Sequence, residues 1–233
     1  IKEYQLKYSG SDNNWKKASG TTDNWSAERN ETVYYRAVDN AGNVSDAVST
    51  SIKIDRTAPS APSMSFVYSD WSAYTDNTWT NKDVYAGRTK ESPGPTGSTD
   101  SASGVCKYQI STDNSTWKDF AYDTSNVLYH MTDSGTYKRY FRAVDCAGNA
   151  SSSITKTAKI DKVAPADLKL TNSSGGNWTK NNITTTFSAT DLTSGVNRLE
   201  YSYDNKTWKT ESKSTDITNG KTVTDTWSPT EYN

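Results

Sequence analysis

The sequence has few of the residues that carry chemistry. One histidine, His130, and two cysteines, Cys106 and Cys146, occur in 233 residues. A zinc-type centre or a Ser-His-Asp triad needs partners for His130, and no pattern in the chain places any beside it. Carboxylates are numerous, but none falls in a recognisable acid/base pair. No Gly-rich phosphate loop is present. Charge of one sign is lacking too: 26 Lys and Arg are spread evenly among 27 Asp and Glu. That excludes a basic face for nucleic acid and a Lys/Arg block for an anionic membrane surface. No apolar run approaches transmembrane length. These absences point away from an enzyme.

What is present is aromatic. Leu and Ile are scarce and mean hydropathy is −0.88, yet there are 15 Tyr and 8 Trp. A disordered chain of similar polarity would lack those rings. Thin cores of Tyr and Trp under Ser/Thr-rich faces fit small antiparallel β-domains.

The chain also repeats. Arg36-Ala37-Val38-Asp39-Asn40-Ala41-Gly42-Asn43 returns as Arg142-Ala143-Val144-Asp145-Cys146-Ala147-Gly148-Asn149, 106 residues later. At the same offset Lys53-Ile54-Asp55 becomes Lys159-Ile160-Asp161, and Ala58-Pro59 becomes Ala164-Pro165. One offset held this long marks a duplicated unit of about one hundred residues. A third copy follows: Asn177-Trp178-Thr179-Lys180 matches Thr78-Trp79-Thr80-Asn81, Ser194-Gly195-Val196 matches Ser103-Gly104-Val105, and Trp208 matches Trp117.

Three domains are therefore expected: a partial repeat over 1–61, a complete one over 62–165 and a partial one over 166–233. Truncation of a longer array explains the partial ends, and the chain opens inside a strand pattern without an initiator Met. Exchange of identical elements between chains is the other explanation, with 166–196 of one chain completing 1–58 of the next.

In the complete repeat the strand signals fall at Met64–Tyr68, Asp83–Thr89, Val105–Ser111, Val127–Met131, Tyr137–Asp145 and Ser153–Ile160, with a short strand after Trp117. No helical period runs through eleven residues. The second copy carries an extra loop around Glu91–Gly97. Pro59, Pro62 and Pro165 keep the junctions extended, which suits semi-rigid joints.

The Tyr-x-Arg-Ala-Val-Asp-x-Ala-Gly-Asn-x-Ser run, the Ile-Asp-x-x-Ala-Pro exit and the Ser-Gly-Val entry together resemble bacterial immunoglobulin-like repeats. The Arg-Ala-Val-Asp-x-Ala-Gly piece is also similar to the sixth strand and following turn of fibronectin type III domains. The resemblance implies an all-β fold of tandem immunoglobulin-like or fibronectin III-like β-sandwiches. It implies an extracellular, non-catalytic spacer, stalk or adhesin segment of a bacterial surface or secreted protein, whose partners are neighbouring repeats and surface glycans or proteins. Two alternatives stay open: a carbohydrate-binding accessory module of a secreted enzyme, and a filament or phage-surface subunit assembling through its partial ends. The resemblance leaves function open, because such modules serve many roles.

In a sandwich of that type, Cys106 begins the third strand and Cys146 ends the sixth, antiparallel neighbours in one sheet. Only the middle repeat has either cysteine and it has both; Lys2 and Asn40 stand in the first. A disulfide is expected, and export to an oxidising space with it. Asp39-Asn40-Ala41-Gly42-Asn43 reads as a turn closed by its own side chains. Calcium is the alternative role, but one Asp per turn offers too few anionic ligands unless a neighbouring junction adds more. Ser111–Trp117 and Ser202–Trp208 resemble a shortened Asp-box hairpin, in which the Asp caps the turn and the Trp packs on the strands. Tyr4/Tyr8, Trp71/Tyr74 and Tyr201/Tyr203 are candidates for a sugar-stacking face or for cross-strand packing, with Trp71 and Tyr74 the candidate glycan contacts. Nine Asn-x-Ser/Thr sequons occur, as expected by chance in so Asn- and Ser-rich a chain.

Overall fold

A computed structural model describes residues 1–9, 14–87, 94–121, 129–210 and 223–227, the last as backbone. Every described regular element is a strand, which is the all-β class expected. The strands are β1 (Glu3–Tyr8), β2 (Lys16–Lys17), β3 (Arg29–Val38), β4 (Val48–Ile54), β5 (Trp79–Thr80), β6 (Val84–Tyr85), β7 (Val105–Ser111) and β8 (Lys118–Asp119). They continue as β9 (His130–Met131), β10 (Gly135–Asp145), β11 (Ile154–Ile160), β12 (Ala166–Asn172), β13 (Thr185–Thr190), β14 (Glu200–Tyr201), β15 (Lys209–Thr210) and β16 (Val223–Trp227). The sheets run β2-β1-β3-β4, β5-β11-β10-β7-β8, β12-β13-β16, β14-β15 and β6-β9.

By contacts the chain divides into two compact units. The first holds Ile1–Met64, Pro93–Ala121 and Arg139–Thr155; the second holds Ser65–Ser92, Tyr122–Lys138 and Lys156–Asn233.

Within the first unit the duplication is visible in the registers. Gln5 pairs with Arg36 and Leu6 with Tyr35 on β1/β3; Gln109 pairs with Arg142 and Ile110 with Phe141 on β7/β10. Period-2 alternation sends Leu6 and Val33 inward, where they meet Ala18 with Tyr8, Trp25, Tyr35 and Ile52 around them. Ile110, Phe141 and Ala143 are fully buried. A bulge between Val144 and Asp145 breaks the β7/β10 ladder where the strand enters its turn.

In the second unit the side chains of Phe66, Val84, Met131 and Ile160 are buried. The segment Met64–Tyr68, expected as a strand, makes only isolated bridges here, from Val67 to Ala73 and to Tyr85. Trp71 at φ +69 turns the chain back between the two halves of the first bridge. A smaller cluster of Ala189, Val196 and Leu199 with Phe187 fills the last repeat. Parts of the expected strands at Asp83–Thr89 and Val127–Met131, and of the Glu91–Gly97 loop, lie outside the described residues.

Candidate functional site: the joint between repeats

A dense set of polar bonds surrounds Asp55, Asp100 and Asp145. It is assembled from three short motifs that the sequence uses more than once.

The first motif is the turn after the Arg-Ala-Val strand. Asp39 Oδ1 accepts the amides of Ala41 at 2.9 Å and Asn43 at 2.8 Å, and its Oδ2 accepts Asn43 Nδ2 at 2.8 Å. Asp145 repeats this with Ala147 at 2.9 Å and with the amide and Nδ2 of Asn149 at 2.7 and 2.8 Å. Gly42 and Gly148 stand at φ +92 and +98, where a Cβ would be strained. The Asn43 side chain, with its amide, holds the Asp39 carboxyl below the ordinary carboxylate range.

The second motif is the entry loop. Asp100 Oδ1 collects the amides of Ala102, Ser103 and Gly104 at 2.8–3.0 Å. Asp191 collects Thr193, Ser194 and Gly195 over 2.9–3.0 Å. The shared pattern is Asp-x-x-Ser-Gly-Val, and reading the sequence recognised only its Ser-Gly-Val half. The recurrence of the Asp three residues before Ser in both copies was the signal for the rest.

The third motif is the Ile-Asp exit. Asp55 Oδ1 accepts the Thr57 amide and its Oδ2 accepts the Ser103 amide, each at 3.0 Å. One repeat later Asp161 accepts Val163 and Ser194 at the same distances. The Ser103 and Thr57 donors hold the Asp55 carboxyl below the ordinary range. Burial raises Asp161, but the Val163 and Ser194 donors outweigh it and leave that carboxyl below the ordinary range as well.

Around Asp55 the three motifs converge. Asn149 Nδ2 also donates to the Asp55 carbonyl at 3.1 Å. Asp55, Asp100 and Asp145 bring one carboxylate oxygen each within 4.8 Å of one another, and Asp145 is only 3% exposed. Cys106 and Cys146 form a disulfide, as expected from their strand positions. The Cys146 amide also donates to the Gly104 carbonyl at 3.0 Å. The bridge thus ties the loop carrying Asp100 to the turn carrying Asp145. Three hard anionic oxygens in contact range fit a calcium-type cation better than a softer transition metal.

The remaining candidate residues lie elsewhere. Tyr74 is 5% exposed, packed with Phe66 and Tyr68; its hydroxyl donates to the Thr78 carbonyl and accepts the Lys159 amide. Its ring fills an interior rather than a sugar-stacking face. Trp71 is 46% exposed, so the two do not form one aromatic platform. Tyr201 and Tyr203 meet edge to face at 5.6 Å. His130 stacks on Tyr85 at 4.1 Å, and its Nε2 lies 3.2 Å from Asp83 Oδ2. Asp83 also receives Lys162 Nζ at 2.5 Å. That partner was invisible in sequence because the Tyr85–His130 register brings it from 47 residues away.

The hairpins behave as expected of Asp-box turns: Asp113 Oδ1 takes the amides of Ser115 and Thr116, and Asp204 Oδ1 those of Lys206 and Thr207. Asn114 and Asn205 occupy the positive-φ corner in each.

Comparison of the chain with models of known protein families and with curated proteins found no match.

Proposed function

We propose that the chain is a non-catalytic, extracellular segment of a bacterial surface or secreted protein, in which immunoglobulin-like sandwiches in tandem act as a spacer or stalk that can present adhesive surfaces. The observation that carries this reading is the repeated joint. Asp55 to Ser103 and Asp161 to Ser194 are the same bond, at the same distance, between the exit of one repeat and the entry of the next. A floppy tether needs no such bond; a joint held at a set angle does. The extended Pro-bearing connectors work in the same direction.

In this reading Asp55, Asp100 and Asp145 hold a divalent cation, calcium by donor type, which offsets the mutual repulsion of three carboxylates and adds stiffness to the joint. Partners are the neighbouring repeats and glycans or proteins at a cell surface. The disulfide is consistent with a location outside the cytoplasm.

The test is small-angle scattering of residues 1–233 beside a double variant, Asp55→Ala with Asp161→Ala. A narrow distance distribution that broadens in the variant supports the stalk. Equal breadth in both sinks it. A glycan array is the second measurement: binding that disappears in Trp71→Ala would move the assignment to a carbohydrate-binding accessory module.

A further inference from the structure

The disulfide of the middle repeat lies in the open. Cys106 and Cys146 are both exposed, beside the bulge that ends the β7/β10 ladder. They border an open cavity of about 520 Å³ whose wall also includes Lys107, Gln109 and Arg142. Every residue of that wall belongs to the middle repeat. A bridge buried in a core is shielded from thiols, whereas an exposed one can be attacked by a thiolate.

The same wall carries an anion anchor. The Arg142 guanidinium rests over Trp117, and its Nε donates to Gln109 Oε1. Among the described residues neither Nη of Arg142 has a hydrogen-bond partner. Two donors of a rigid planar fork are therefore left for an anion, and a carboxylate matches that fork with two parallel bonds. The other charges of the wall are engaged. Lys107 Nζ pairs with Asp119 at 3.0 Å, and Asp145 accepts the donors of its own turn. The first repeat has a similar fork on Arg36, but Lys2 and Asn40 stand where the cysteines would be. Bridge and fork occur together in the middle repeat.

We infer that Cys106–Cys146 is a thiol-exchange site for small thiols that carry a carboxylate, with Arg142 anchoring the carboxylate. The incoming thiolate attacks one cysteine sulfur and forms a mixed disulfide. The S–S bond breaks, and its electron pair leaves on the other cysteine, which takes a proton from water. A second thiol then displaces the first as a small-molecule disulfide. In sum two thiols are oxidised, and the bridge takes up two electrons and two protons. Exchange unties the entry loop at Cys106 from the turn at Cys146. This chemistry requires only the folded middle repeat, whatever the role of the whole chain.

The test is the rate of bridge opening in residues 1–233 under native conditions, read by alkylation and mass spectrometry. The probes are 3-mercaptopropionate, which has a carboxylate, and 2-mercaptoethanol, which has none. Both should open the bridge faster than the chain unfolds. Per thiolate, 3-mercaptopropionate should react roughly threefold faster, the size one partly exposed ion pair allows. That ratio should fall towards one in Arg142→Met, and also in the unaltered chain at high salt. A bridge that opens no faster than the chain unfolds overturns the inference. So does a ratio near one in the unaltered chain, or a ratio that neither Arg142→Met nor salt reduces.

Discussion

Arg142 lies over the indole of Trp117, its guanidinium carbon 4.2 Å from the ring centroid, while its Nε donates to Gln109 at 2.9 Å. Arg36, Trp15 and Gln5 repeat the arrangement, at 4.0 and 2.8 Å. A guanidinium stacked on an indole is worth roughly 1 kcal/mol at a partly exposed site. Arg142→Met should lower unfolding free energy by about that much, and Arg142→Lys should recover only part of it, because an ammonium does not stack and fork at once. Chemical denaturation of the three proteins measures this; equal midpoints would mean the stack contributes nothing.

The disulfide should matter more. It closes a separation of 40 residues, for which the chain-entropy account gives about 4 kcal/mol. Replacing both cysteines by alanine should lower stability by that order without changing far-ultraviolet circular dichroism. Melting that is indifferent to reductant would show that the bridge does not restrain the middle repeat.

Calcium should raise the melting temperature and release or absorb heat on titration, and Asp145→Asn should abolish both effects. Asn keeps the Oδ1 acceptor for the turn amides and loses the Oδ2 acceptor of Asn149 Nδ2, so the turn should survive weakened while the anionic charge is lost. Titration without heat and without a melting shift would leave the three carboxylates as hydrogen-bond acceptors alone.

Acid should weaken the hairpin turns. The Thr207 and Lys206 amides lower the Asp204 carboxyl to about 2, and the Thr116 and Ser115 amides lower Asp113 further in the same direction. A folded-state value below the unfolded one gives stability that is complete above the unfolded value and drains away as pH falls through the folded one. For Asp204 that window runs from about 4 down to about 2. Carboxyl NMR titration of Asp204 should place its midpoint near the bottom of the window. A midpoint near 4 would mean the amide bonds are not held in solution.

Much of this architecture was legible in advance. Val105–Ser111 is a strand as read, and Lys118–Asp119 is the short strand expected after Trp117. The cysteine pairing followed from strand positions because antiparallel neighbours must meet end to start. The carboxylate cluster was not legible. Asp55, Asp100 and Asp145 come from three separate segments, and only the folded chain brings them into range. Each reads as an ordinary turn residue by itself. Tyr74 was left between core packing and a glycan-facing role for a related reason: exposure of an aromatic depends on what covers it, and spacing along one strand does not carry that information.

Asp55 directly follows β4, and its carboxylate and carbonyl accept the Ser103 amide and Asn149 Nδ2, so these bonds would shield the covalent segment beyond them from tension until they break. The weakest link under load would then be set by that side chain and its neighbours rather than by the hydrophobic interiors on either side. A pulling experiment would register it as a distinct early event, separate from the rupture of any sheet.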